Sequence, residues 1–256
     1  SIQFAAHELY GAPFIAAVMI AFVMWSIRDK PKRVFAFLVS LPLIFVIAWL
    51  FGNSLGYDST DILGASLSRG QIGMVVLLPA LMAVPATFSL MRENSEKKKI
   101  PFFAHFIHLG LVLLVIGHIM STTIIDRGTY EHSVTLIKDE KVEWGGYEFE
   151  FVDVVTETEG LEVGDGYLGA VINVYEDGEL IDTVEPGVIR FDSRARSEVD
   201  RVTTWHGDIV LIMDGTQARS LMEGSDLVRI MVYDLPGIHL VWGGWSLMLL
   251  ASLAIW

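Results

Sequence analysis

Histidine in an apolar run is the residue type here best suited to chemistry, because an ionisable side chain inside a membrane span is costly and marks a functional hypothesis by default. The segment 101–121 holds His105, His108 and His118. At ~100° per residue on a helix, His105 lies about 60° from His108, and His118 about 80° from it on the other side. All three can therefore face one interior. With a rise of ~1.5 Å per residue, His108 and His118 stand about 15 Å apart along the axis. Neutral imidazole among apolar side chains is a suitable axial ligand for haem iron, and Phe106, Leu109 and Leu113 would offer it flat hydrophobic walls. Gly110 would admit a macrocycle or a second helix at close range. The ordinary alternative is a histidine hydrogen-bonded to a neighbouring helix. His108 is the first choice of ligand, with His105 and His118 behind it.

Other chemistries find little support. The chain has no cysteine, hence no disulfide framework, no thiolate metal site, no thiol nucleophile and no Cys-x-x-Cys-His haem attachment of its own. It carries no nucleophile elbow, phosphate loop or zinc-protease motif, which disfavours a hydrolase. A net charge of −13 repels phosphates and argues against nucleic acid as a partner. His7 and His239 open the first and last apolar segments, where an interfacial histidine costs little. His132 and His206 offer no metal-ligand spacing. Arg190, Arg194, Arg196 and Arg201 form a basic run, expected on a solvated loop, that could also meet a haem propionate or a partner's acidic face.

The elements that must position these residues are membrane helices. The 256 residues are 52% hydrophobic and only 19% charged, too little polar cover for a water-soluble surface. Spans of near ~20 residues are expected at about 8–27, 34–52, 70–91 and 101–121, and a fifth at 237–256. Pro13, Pro42, Pro79 and Pro85 fall inside or near the ends of spans, as ordinary kinks. Arg28, Lys30, Lys32 and Arg33 between the first two spans, and Arg92, Lys97, Lys98 and Lys99 between the next two, place both loops in the cytoplasm. The 53–69 loop with Asp58 and Asp61, the N-terminus and the 122–236 segment then lie outside. No cleavable signal peptide is expected, since the first apolar stretch is long and ends in basic residues. Trp242 and Trp245 with Gly243 and Gly244 read as an aromatic belt at the membrane surface.

From about Glu131 the periodicity changes to alternation. Residues 134–137, 147–151, 171–175, 209–213 and 228–233 read as strands, with tight turns at Gly145-Gly146 and Asp177-Gly178. The fold class is thus an α-helical membrane protein with an inserted extracytoplasmic all-β domain, an antiparallel sandwich or barrel. Its parts are a bundle over 1–121, the β domain over 122–236 and a final helix over 237–256, in the cytoplasmic (inner) membrane.

The order of these elements, with Tyr10-Gly-Ala-Pro, Ala104-His-Phe-Ile-His-Leu-Gly, Val134-Thr-Leu, Val142-Glu-Trp-Gly-Gly-Tyr-Glu-Phe and Asp226-Leu-Val-Arg-Ile-Met-Val-Tyr-Asp-Leu-Pro leading into Trp242-Gly-Gly, resembles the C-terminal half of CcmF, the membrane subunit of cytochrome c haem lyase. The resemblance covers nearly the whole chain. It implies a haem b in the bundle between two histidines, one from each half of the protein, with the His-Leu-Gly pattern putting one at His108. It further implies that this haem b reduces the haem being attached by thioether bonds to apocytochrome c, and that partners include an N-terminal CcmF-like half or other haem lyase subunits, a haem-delivery protein and a quinol. The family's tryptophan-rich haem-handling segment is missing here; Trp242-Gly-Gly-Trp245 lies in the last span and lacks the following aspartate. The expectation is a split half or part of a longer protein, a subunit of a cytochrome c synthase that is not complete on its own. Two rival readings are a di-haem membrane cytochrome b electron-transfer subunit, using His108 and His118 at two depths, and a non-catalytic membrane scaffold.

Overall fold

The computed structural model describes residues 2–54, 59–62, 65–97, 102–125, 132–158, 165–191 and 194–255. Asp58, Lys98, Lys99, Glu131 and Trp256, and the side chains of His7, Tyr10, Asp61 and Lys97, lie outside the described residues. The chain divides into two compact units, Ser1–Asp126 with Pro236–Trp256, and Arg127–Leu235.

The first unit is helical. Helices α1 (Ile2–Ile27), α2 (Pro31–Ser54), α3 (Arg69–Lys97), α4 (Phe102–His118) and, at the far end of the chain, α6 (Ile238–Ile255) carry it; a short α5 (Ala218–Met222) belongs to the second unit. A two-stranded hairpin, β1 (Ser59–Ile62) with β2 (Ala65–Ser68), separates α2 from α3. Among the described residues four stretches are long and apolar enough to cross a membrane: Pro31–Asn53, Arg69–Glu93, Phe103–Thr123 and Ile238–Ile255; α1 adds the shorter apolar stretch Gly11–Ile27. The chain is a multi-pass membrane protein, and the basic α1–α2 turn assigns the β unit to the extracytoplasmic side.

Small side chains bring these helices together, as lipid gives no hydrophobic drive for association. Ala12, Ala16, Met19 and Val23 on α1 are spaced to form one stripe and are buried with Val76, Ala80 and Ala83 of α3 and Val112 and Ile116 of α4. Between α4 and α6 the contact is made by glycines: a Cβ on Gly117 would lie 2.7 Å from the Gly237 carbonyl oxygen. Helix α4 ends in a π-helical turn, Ile119–Thr123. There Ser121 and Thr122 hydroxyls donate back to the carbonyls of Gly117 and His118, and the buried Arg69 guanidinium donates to the Thr122 carbonyl at 3.3 Å. These bonds satisfy groups that the wider turn and the helix end release.

The second unit is a nine-stranded sheet. Its strands are β3 (Ser133–Ile137), β4 (Lys141–Trp144), β5 (Tyr147–Glu157), β6 (Gly166–Glu176), β7 (Glu179–Val184), β8 (Gly187–Phe191), β9 (Arg194–Thr203), β10 (Gly207–Met213) and β11 (Leu227–Pro236). Named strands pair antiparallel in the order β3-β11-β10-β9-β8-β6-β5-β4, with β7 beside β6. The sheet curls until its ends meet, where Asp139 N–H donates to the Phe151 carbonyl at 2.9 Å next to a bridge between Lys138 and Phe151. Phe149, Phe151, Ile172, Ile209, Leu211 and Ile230 are fully buried inside the curl. Alternating burial on β5 explains which face they take. Both expected tight turns form, with positive φ at Gly145 and Gly146 and at Asp177 and Gly178, the signature of the hairpin turns that match strand twist.

One expectation is corrected here. Arg190, Arg194, Arg196 and Arg201 do not lie on a loop; they sit on the paired strands β8 and β9. They are exposed, and Arg201 pairs with Asp208 at 3.1 Å.

Candidate functional site

His108 projects from α4 toward α1. Its ring stacks on Phe22 (centroids 5.4 Å apart, planes at 13°) and on Trp25 (5.8 Å, 28°), while the Arg28 guanidinium lies 5.3 Å from the Trp25 ring. Phe22 and Trp25 are three residues apart, which puts them on one helix face. They also lie in the last two turns of α1 before the cytoplasmic basic cluster, at the depth where His108 stands near the start of α4.

The ring is oriented as well as packed. His108 Nδ1 lies 2.8 Å from the Ala104 carbonyl oxygen, one helical turn back. A carbonyl can only accept, so Nδ1 carries the proton and the Nε2 lone pair is left for another partner. Among the described residues Nε2 makes no hydrogen bond. This is the usual condition of a metal-binding imidazole, whose second nitrogen is held by a backbone carbonyl. The arrangement leaves Nε2 able to act as a donor atom toward a metal or as an acceptor of a hydrogen bond.

His105 and His118 take different environments. His105 is fully buried, its ring centroid 6.3 Å from that of His108. His118 is exposed at the end of α4, ahead of the π turn. The three histidines do not converge on one point. The walls around His108 also differ from those expected: Phe106 packs at a tilt against Phe103, Leu109 is buried, and the flat partners come from α1. Gly110 meets α6, where a Cβ would lie 2.6 Å from the Met248 side chain. Two residues on from His108, it faces about 200° away.

In the β unit, His132 is buried, with Nδ1 2.9 Å from the Val232 carbonyl and its ring stacked on Tyr233 at 4.8 Å. His206 Nδ1 lies 3.1 Å from the Thr204 hydroxyl, and its Nε2 is 3.6 Å from Asp234. Among the described residues no three His, Cys, Asp or Glu side chains converge as a metal site. Phe22 and Trp25 were missed by sequence reasoning. Matching depth across helices, from the shared distance to the basic turn, is the signal that could have found them.

The solved structure of cytochrome c haem lyase CcmF matches 96% of this chain at TM-score 0.62 and 18% identity. At that identity the likeness shows a shared fold. The chain spans 39% of the length of that structure's chain. No family model matches the sequence, and neither does any curated protein.

Proposed function

We propose that this chain is the C-terminal, haem-b-supporting portion of a cytochrome c haem lyase, acting as a subunit. The observation that carries the reading is the His108 arrangement, an imidazole tied through Nδ1 to the Ala104 carbonyl at 2.8 Å with Nε2 left for a ligand. The whole-length structural likeness supports it.

His108 would hold the iron of a haem b from one side, and a second polypeptide would supply the opposite ligand. When bound, such a haem supplies one-electron chemistry that keeps the haem being attached reduced. The chain's own residues do the positioning. Ala104 fixes the tautomer, Phe22 and Trp25 fix the plane of the ring, and buried Val112 and Ile116 keep the helix interior dry. The thioether bonds form on the apocytochrome's cysteines, so this chain needs none. Its partners in this reading are an N-terminal CcmF-like half, a haem-delivery protein and apocytochrome c, with a quinol as electron source.

Extracting and counting b-type haem from the purified complex tests the proposal. One haem b together with affinity for apocytochrome supports it. Two b haems without that affinity would favour a di-haem electron-transfer subunit, and a colourless complex would favour a scaffold.

A further inference from the structure

Between α1, α2 and α3, toward the cytoplasmic end, runs a groove of about 470 Å³, within the usual size of a small-ligand site. Its walls are apolar: Val23 and Ile27 from α1, Phe37 from α2, and Met82, Pro85 and Ala86 from α3. From Arg33 to Ser40 on α2 and from Met82 to Ser89 on α3 the lining covers seven residues of rise, about 10 Å.

One end is polar. Arg33 Nη1 is 3.4 Å from the Ser89 hydroxyl, and Lys30 Nζ is 3.1 Å from the same oxygen. The two cations differ. Lys30 is neutralised by Glu93 at 3.0 Å, whereas Arg33 has no carboxylate partner among the described residues. A guanidinium with no carboxylate partner among the described residues thus stands at the mouth of an apolar slot, in the first turn of the membrane-crossing stretch Pro31–Asn53. Guanidinium is the side chain best matched to phosphate oxygens, and Ser89 offers a hydroxyl beside it.

We infer that this groove holds one anionic phospholipid of the cytoplasmic leaflet, its phosphate on Arg33 and Ser89 and an acyl chain along Val23, Phe37 and Met82. The acidic character of the chain does not oppose this, because 25 of its 31 acidic residues fall between 122 and 236, on the other side of the membrane. The α1–α2 turn is locally basic, and basic pockets between helices on the cytoplasmic side suit such headgroups.

The test extracts the complex with its surrounding lipids and counts the phospholipids it retains by native mass spectrometry. The wild-type complex is expected to keep one phosphatidylglycerol or cardiolipin per chain. Arg33→Gln should lower that retention about fivefold, the effect of one cation near the surface, while Lys32→Gln, outside the groove, should not. Ala36→Phe fills the slot and leaves Arg33 in place, so it should also displace the lipid; unchanged thermal unfolding checks that each variant is folded. Equal retention in wild type and Arg33→Gln, an equal loss with Lys32→Gln, preference for zwitterionic lipid, or a neutral quinone in the groove would each overturn the assignment.

Discussion

Gly110 and Gly244 meet backbone to backbone between α4 and α6: a Cβ built on Gly110 would lie 2.7 Å from the Gly244 carbonyl oxygen, and one built on Gly244 would lie 2.5 Å from that of Gly110. Neither neighbour can yield, because each is main chain inside a helix. Gly110→Leu should therefore push the helices apart and cost at least about 2 kcal/mol, the scale of overpacking in a tight interface. Gly243, with nothing within 4 Å of its Cβ position, is the matched control, and Gly243→Leu should be tolerated. Thermal unfolding of the two variants in the same detergent checks the contrast.

That contact also shows what sequence could and could not deliver. The apolar runs, the basic turns and the switch to alternating periodicity fixed the membrane class and the placement of the β unit. Strands with one buried face, such as β5 and β10, were legible because burial alternates along them. Strands β7 and β9 were not, because each buries only one residue, Val184 and Val202, and so shows no apolar period. At the site, His108 could be chosen from one helix alone. Its partners could not, since Phe22 and Trp25 lie more than 80 residues earlier and only packing brings them to it.

Phe151 is fully buried on β5 at the point where the sheet closes. Phe151→Ala should cost about 3–5 kcal/mol through lost burial and the cavity left behind. Phe191, nearly half exposed on β8, should lose no more than about 0.5 kcal/mol on the same change. Unfolding followed by the near-ultraviolet circular dichroism of the β unit distinguishes the two.

Asp214 caps a short 3-10 turn, Gly215–Gln217, accepting from the Thr216 hydroxyl at 2.8 Å and its N–H at 3.0 Å. Those hydrogen bonds, hydroxyl first, hold its carboxyl below the ordinary range, with Arg229 adding to them. A depressed carboxyl stabilises above its unfolded value, and the contribution is lost as pH falls through the folded value. Asp214→Ala should cost about 1 kcal/mol near neutral pH, and the gap to wild type should narrow below about pH 4. Chemical denaturation at several pH values measures it.

Tyr167 donates its hydroxyl to the Glu185 carbonyl, and burial, reinforced by the charges of Glu185, Asp200, Glu198 and Glu157, pushes its phenol up to about 12. A raised folded value means that its contribution is complete below pH ~10 and lost as pH climbs past that. In an alkaline titration followed by tyrosinate absorbance, a late phenol should be present in wild type and gone in Tyr167→Phe.

The proposed function requires that His108 hold iron. The most direct measurement is the reduced-minus-oxidised absorbance spectrum of the purified complex, with all partners present, in wild type and in His108→Ala. Wild type is expected to give a b-type spectrum that the variant lacks. An unchanged b-type spectrum after the substitution would contradict it.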